Sequence, residues 1–354
     1  MAEAKLPELG KIDRHFFDEV IYPHLGAKDP TVLLGPRHGV DFGVVELGDK
    51  VLVSSADPVY IAPALGWERA AWFALHILAS DVAVSGIRPR YLSIDLNLPP
   101  EMSEEVLRTI WETIHREAEK LGIAIVSGHT ARYAGCNYPM VGGATIFGVD
   151  DRSKLVDPRS ARPGDLVIIT KGPAIETTGL MSVQFPEFIE ERLGPEAVKE
   201  AQGIFYQMSV VHDCAVVAET GGVHAMHDAT ECGVWGGLFE MAEAGEYGLR
   251  IWPERIVVQD IVAKTCAVFD IDPFKAISEG TLIAVLEPAK AEEAVAALKA
   301  EGIPASIVGE VVPREEGTNL IYPDHVEPLV HPKVDPFWIR FEEYLLKQSQ
   351  RRSR

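Results

Sequence analysis

Helical periodicity from residue 70 onward puts Phe73, Ala74, Ile77 and Leu78 on one apolar stripe, and the next position of that stripe is Asp81. An ionised carboxylate in a low-dielectric setting must be paired or protonated, because its desolvation is otherwise uncompensated. The flanking text, Ala79-Ser80-Asp81-Val82-Ala83-Val84-Ser85-Gly86-Ile87-Arg88-Pro89, holds no neighbouring Lys or His, so the partner must come from elsewhere. Three more aspartates make a metal the natural candidate. Asp57 is expected at the end of an apolar strand over 50–55. Asp41 follows the turn Gly35-Pro36-Arg37-His38-Gly39-Val40. Asp228 stands in His227-Asp228-Ala229-Thr230-Glu231-Cys232-Gly233, directly before a helix over 234–244. At an effective dielectric near 20, two carboxylates about 4 Å apart repel by roughly 4 kcal/mol. Clustered aspartates therefore imply hard cations, and all-oxygen ligands suit Mg²⁺ or Ca²⁺.

Simpler roles exist for the same residues. Asp41 and Asp57 suit a turn and a strand end. Asp228 with Thr230 suits a helix N-terminal cap, a role compatible with holding a metal-bound phosphate there. His129, His224 and His227 suit either metal ligation or turns. Cys232 reads as a small buried residue.

These side chains need two α/β halves to position them. In the first, strands near Val51 and over 123–126 flank helices over 67–84 and 103–121. The second of these helices has a Ser103 cap, Gly122 beyond its end, and Leu107, Ile110, Ile114, Ala118 and Leu121 on one face. Residues 138–149 read as another strand, and the polar stretch 150–163 as a linker. Strands over 166–170, 281–286 and 306–312 then alternate with helices over 195–218, 234–244 and 289–301. The expected division is residues 1–160, 161–330 and a helical tail over 331–354, with Trp338, Phe341 and Leu345 on one side of the tail helix.

Composition agrees with a soluble two-domain enzyme: of 354 residues, 47% are hydrophobic and 24% charged. A formal net charge of −20 argues against nucleic acid or an anionic membrane as partner. Cys136, Cys214, Cys232 and Cys266 form no Cys-x-x-Cys pair, and no apolar run is long enough to span a bilayer, so a cytoplasmic location is expected. The absence of a P-loop, a dinucleotide Gly-x-Gly-x-x-Gly, a His-Glu-x-x-His and a Gly-x-Ser-x-Gly removes support from four common enzyme classes.

The ordered set Asp41, Ser55-Ala56-Asp57-Pro58, Ser80 to Pro89, Ser127-Gly128-His129-Thr130 and His227 to Gly233 resembles the aminoimidazole ribonucleotide synthetase (PurM-like) superfamily, over residues 10–330. That group includes purine enzymes, selenophosphate synthetase, thiamine-monophosphate kinase and the hydrogenase maturation protein HypE. Pro163-Gly164-Asp165, Glu279-Gly280-Thr281 and Ile307-Val308-Gly309-Glu310 resemble the second domain of HypE. The resemblance implies a two-domain PurM-like fold of the α/β (α+β) class. It implies ATP and Mg²⁺ as cofactors, an unknown acceptor whose oxygen is phosphorylated or activated, a homodimer joined through the first domain, and a possible maturation partner protein. It assigns Asp41, Asp57, Asp81 and Asp228 to metal, and Asp41, Asp57, Gly128, His129, Thr130, Asp228 and Thr230 to the nucleotide. Asp81 and Glu279 are its catalytic candidates, with Glu176-Thr177-Thr178-Gly179 beside the acceptor.

Departures from the family pattern are also plain. His129 replaces the acidic residue of the first-domain Gly-Asp-Thr motif, and Ala131-Arg132 stands where a lysine follows it. The Gly-rich phosphate segment is reduced to Gly10-Lys11, and Val40-Asp41 stands for the usual Asp-Asp pair. HypE-type proteins end in a cysteine that carries the carbamoyl group, whereas this sequence ends in Ser353-Arg354, so an activity other than standard carbamoyl dehydration is expected. Two further readings stay open: a metallohydrolase using the aspartates with His129, His224 and His227, and a non-catalytic nucleotide-binding maturation factor.

Overall fold

The computed structural model describes residues 14–352; Gly10-Lys11 and Ser353-Arg354 lie outside the described residues. After helical turns over 14–24, the first half forms a six-stranded sheet in the order β1-β2-β3-β6-β4-β5. Its strands are β1 (Val32–Leu34), β2 (Gly43–Leu47), β3 (Lys50–Tyr60), β4 (Tyr91–Leu98), β5 (Ala124–Arg132) and β6 (Met140–Asp151). All neighbours run antiparallel except β4 and β5. Helices α1 (Trp67–Ala83) and α2 (Glu104–Leu121) pack together, and α1 lies on β3 and β6. The expected caps of α2 form: Ser103 Oγ accepts the Val106 N–H at 3.2 Å, and Gly122 closes the helix at φ +70°.

Two boundaries differ from the periodicity reading. Strand β3 runs on to Tyr60, so Asp57 lies inside a strand and not at its end; the register shift between Pro58 and Tyr60 lets the ladder pass a residue with no N–H. Strand β5 continues through Gly128-His129-Thr130 because its pairing with β4 extends to Leu98 and Arg132.

The second half is a seven-stranded sheet in the order β13-β12-β9-β11-β7-β10-β8. These strands are β7 (Leu166–Thr170), β8 (Val223–Asp228), β9 (Gly248–Ile251), β10 (Leu282–Leu286), β11 (Ala305–Val312), β12 (Thr318–Ile321) and β13 (Val326–Pro328). Its helices are α3 (Ile175–Gln184), α4 (Pro186–Leu193), α5 (Pro195–Ile204), α6 (Val211–Thr220), α7 (Gly233–Gly245), α8 (Asp260–Phe269), α9 (Pro288–Ala300) and α10 (Pro336–Arg352). Strand β10 is buried on both faces: Leu282, Ala284 and Leu286 join the core under α3 to α6, and Ile283 and Val285 join the one under α7. The first of these cores continues without a break into the residues between the first sheet and α1, so the two halves share it.

The helix expected over 195–218 is in fact two. Between α5 and α6 the chain makes a 3₁₀ turn at Phe205–Gln207, and tertiary bonds then take over from helical ones: Lys171 Nζ donates to the Ser209 carbonyl at 2.7 Å, and the Val210 N–H donates to Ser80 Oγ at 3.1 Å. The tail stripe is turned by one residue. Phe341 and Tyr344 meet Phe185, Tyr344 also meets Phe188 and Phe269, and the buried Phe337 packs on Phe341, whereas Trp338 and Leu345 face outward at 41% and 39% exposure. No helix among the described residues is long and apolar enough to cross a membrane.

The Tyr344 hydroxyl donates to the Val268 carbonyl at 3.1 Å, and its ring is buried against three phenylalanines. Tyr344→Ala should lower unfolding free energy by about 3–5 kcal/mol in a urea titration. Leu346→Ala, on the exposed face, should stay within about 0.5 kcal/mol of the parent. Equal losses in the two variants would refute the docked orientation of the helix.

Candidate active site

Asp81 lies in the last turns of α1, where the helix dipole disfavours a negative charge. Its Oδ2 accepts a hydrogen bond from Ser55 Oγ of β3 at 2.7 Å. Burial pushes its carboxyl well above the ordinary range, the charges of Asp41 and Asp57 push the same way, the Ser55 hydroxyl opposes them, and Asp228 adds a smaller push. These three partners come from β3, the loop before β2, and the second sheet, so the aspartates of the two halves are brought into electrostatic range of one another.

Strand β8 forms the edge of the second sheet against the first half and ends in Asp228, which is fully buried. Asp228 Oδ1 accepts the Gly280 N–H at 3.1 Å, while Oδ2 meets no donor other than a protonated Glu279 carboxyl. Only glycine serves at 280: φ is +95°, and an added Cβ would lie 2.2 Å from the Gln207 carbonyl oxygen. Next to it Glu279 is 4% exposed, with its carboxyl against that of Asp228. Burial first, and then the Asp228 charge and a carboxyl–carboxyl hydrogen bond with it, push the Glu279 carboxyl well up; burial lifts Asp228 to about 6 against the opposing effect of that same bond. Glu176, in the first turn of α3, accepts the Glu279 N–H at 3.2 Å and is lifted by burial to about 8. Asp81, Asp228, Glu279 and Glu176 thus form a run of carboxyl groups that is short of positive charge.

Asp41 has a different partner. His227 Nδ1 lies 2.8 Å from Asp41 Oδ2, and its Nε2 lies 3.5 Å from Glu240. Burial alone would lower the affinity of this imidazole for a proton, but the Asp41 charge and hydrogen bond together with Glu240 outweigh it and raise the pKa to about 10. His227 is therefore a buried cation that joins the two halves. His224 bonds Asp165 at 2.7 Å, and His129 Nε2 lies 2.9 Å from the Tyr133 hydroxyl on edge strand β5, so the three histidines do not converge.

The Gly128-His129-Thr130 segment is not brought to the aspartates within one chain. Asp57 pairs with Ala144, Ala144 with Ile94, and Ile94 with Gly128. That row spans three strand spacings, about 14 Å. The capping reading of Asp228 and Thr230 is also corrected. The cap of α7 is Cys232, in the left-handed region at φ +63° with no side-chain bond to the helix, and its own N–H donates to Asp335 Oδ2 at 2.7 Å. Thr230 contributes its carbonyl, which accepts the Gly233 and Ser278 N–H groups at 3.1 and 3.2 Å.

A buried ion pair went unread in the sequence. Lys171, directly after β7, donates to Asp213 Oδ2 at 3.0 Å, and a lone cation closing an apolar strand was the available signal.

Among the described residues, no group of three or more His, Cys, Asp or Glu is already drawn together to hold a metal. The donor chemistry nevertheless fits a hard divalent cation. Asp228 and Glu279 are buried carboxyl groups that meet no side-chain donor except a proton shared between them, and Asp81 lies in the field of three further aspartates. A cation or a proton is what such oxygens lack.

Residues 39–150 match the N-terminal domain, and residues 162–320 the C-terminal domain, of AIR synthase related proteins. The chain belongs to this PurM-like family. It is 24% identical over 320 residues to a putative hydrogenase expression/formation protein of Methanocaldococcus jannaschii, covering 87% of this chain and 90% of the relative. It is 28% identical over 250 residues to the carbamoyl dehydratase HypE of Rhodobacter capsulatus, covering 67% and 68%. A crystal structure of the hydrogenase maturation protein HypE in complex with ATP superposes with a TM-score of 0.63 at 21% identity, covering 91% of this chain and 93% of that one.

The raised groups set a pH dependence. Above roughly pH 7.5, a unit over the free imidazole value, the buried His76, lowered to about 4 by desolvation, is neutral whether the chain is folded or not. Glu176 and His227, by contrast, hold protons in the folded state that the unfolded chain releases. Their stabilising protonation is complete below the unfolded values and is lost as pH rises through about 8 and about 10. The melting temperature without added metal should therefore fall from about pH 7.5 to 9, and Glu176→Gln should flatten the slope. A rising melting temperature over that window would refute these assignments.

Proposed function

We propose that this protein is an ATP- and Mg²⁺-dependent enzyme that phosphorylates or activates an oxygen of a small-molecule or protein-borne acceptor. The observation that carries the reading is the charge-deficient carboxylate run at the seam of a PurM-like fold, in which the buried Asp228 and Glu279 can satisfy each other only by sharing a proton. Asp81 and Asp228 would hold the cation, with Asp57 beside them. Asp41 joins only after giving up His227. When bound, Mg²⁺ neutralises phosphate charge and aligns the transferred group. Glu279 and Glu176 lie on the second-domain side, where a protonated carboxyl donates a hydrogen bond to an acceptor oxygen and an ionised one takes its proton. The metallohydrolase reading gains no support, because its histidines are engaged separately with Tyr133, Asp165 and Asp41.

We also propose that the protein is a homodimer joined through the first sheet. Strand β5 is an edge strand with Val126, Ser127, Gly128, His129 and Thr130 all exposed, so both of its faces lie open. A second copy covering this edge would protect it and bring Gly128, His129 and Thr130 to a shared nucleotide pocket. A maturation partner protein fits the relatives, which include a hydrogenase expression/formation protein and a hydrogenase maturation protein.

Calorimetry of ATP with and without Mg²⁺ tests the first proposal. Asp57→Asn and Asp81→Asn should weaken Mg²⁺-ATP binding by about tenfold or more. Both should leave the metal-free protein folded, since Asn keeps the side-chain shape and, at 81, an acceptor for Ser55 Oγ. Unchanged affinity in both folded variants would sink the site.

Light scattering over a dilution series should give twice the chain mass. A monomer with full ATP affinity would refute both the dimer and its part in the pocket.

A further inference from the structure

Segment 207–210 touches both sides of the carboxylate run. Toward the second sheet, its Gln207 carbonyl abuts Gly280, the residue whose N–H holds Asp228. Toward the first half, Ser209 Oγ lies 3.0 Å from His76 Nδ1 of α1, and the Val210 N–H donates to Ser80 Oγ, one residue before Asp81. The segment has no regular structure beyond Gln207 to hold it in place. Besides these bonds and the burial of Met208 and Val210, one ammonium group ties the segment to the second sheet. Lys171 Nζ donates to the Gln207 carbonyl at 3.2 Å, the Ser209 carbonyl at 2.7 Å and Asp213 Oδ2 at 3.0 Å, which uses all three of its donors. Asp213 Oδ1 in turn accepts from Thr170 Oγ1 at 2.6 Å. Lys171 itself is fixed at φ +59°, and its carbonyl accepts from Gln259 at 2.9 Å.

We propose that Lys171, acting through segment 207–210 and Ser80, is the positioning residue that sets the spacing between Asp81 and Asp228 and thereby the cation affinity of the site. This rests on the cation site proposed above. Asp81 rides on a helix of the first half and Asp228 on a strand of the second. The bonds of this segment reach the immediate neighbours of both: Ser80 precedes Asp81 in α1, and Gly280 holds Asp228. Lys171 touches neither carboxylate, so its effect is geometric, with its positive charge favouring ionised Asp228 as a secondary influence.

The test is Mn²⁺ binding to the full chain, measured by electron paramagnetic resonance without nucleotide. Two variants loosen the link: Ser80→Ala, and the double variant Lys171→Met/Asp213→Asn, which removes the ion pair without stranding a charge and keeps an acceptor for Thr170. Ser182→Ala, which removes a buried hydroxyl bond to the Gly179 carbonyl, is the control for general destabilisation. Both linking variants should bind Mn²⁺ about tenfold more weakly, with the control unchanged. If the double variant fails to fold, Ser80→Ala decides alone. Parent-like Mn²⁺ affinity in folded Ser80→Ala, an equal loss in Ser182→Ala, or no Mn²⁺ binding by the parent would each overturn the proposal. A parent that binds Mn²⁺ but no ATP, with the loss in the linking variants intact, would overturn phosphoryl transfer and leave the positioning role standing.

Discussion

Mutual repulsion among carboxyl groups at the seam of the two sheets is the constraint on which the rest of this structure turns. Asp81 feels Asp41, Asp57 and Asp228, and Glu279 feels Asp228, Glu176 and Asp81. Left to themselves, such groups would drive the halves apart or draw in water. The fold answers with two buried cations placed beside the run: His227 neutralises Asp41, and Lys171 neutralises Asp213. Asp81, Asp228 and Glu279 receive no comparable partner. A buried acid short of positive charge either keeps a proton or binds a cation, and both outcomes are useful to phosphoryl transfer.

Holding such a site requires rigid surroundings, and the shared core supplies them. Apolar residues run without a break from the first sheet through α1 into the helices of the second half, so a shift in either half must disturb the other. Backbone strain collects around the site as well. Lys171, Ala174 and Cys232 are non-glycine residues in the left-handed region, and they stand at the end of β7 and before α3 and α7. Conformations of this kind cost about 1–3 kcal/mol each and persist only where neighbouring contacts leave no alternative.

The tail helix belongs to the same framework. Asp335 joins α10 to the turn after Asp228 by accepting the Cys232 N–H, and it also caps α10 through the Phe337 N–H at 2.8 Å. Gln348 binds the last carbonyl of α3, and Arg351 pairs with Glu191 of α4. One end of the helix braces the strand end that carries Asp228. The rest clamps α3, whose first turn carries Glu176.

What the sequence by itself determined was the α/β class and the anomalous place of Asp81, because a carboxylate that breaks an apolar stripe is a local and periodic signal. The caps of α2 were readable for the same reason, being fixed by side chains three residues apart. Strand β8, which ends in Asp228, was not among the strands expected. Only the tertiary structure decided which carboxylates stay unpaired. The pairing of Asp41 with His227 spans 186 positions and that of Lys171 with Asp213 spans 42, distances over which no periodicity carries information. Tertiary bonds from Lys171 and Ser80 likewise broke the helix expected over 195–218, overriding local propensity. The row of strand pairings that sets Gly128-His129-Thr130 apart from Asp57 was invisible for a related reason: strand order follows from how whole sheets bury their faces, and single residues do not encode it.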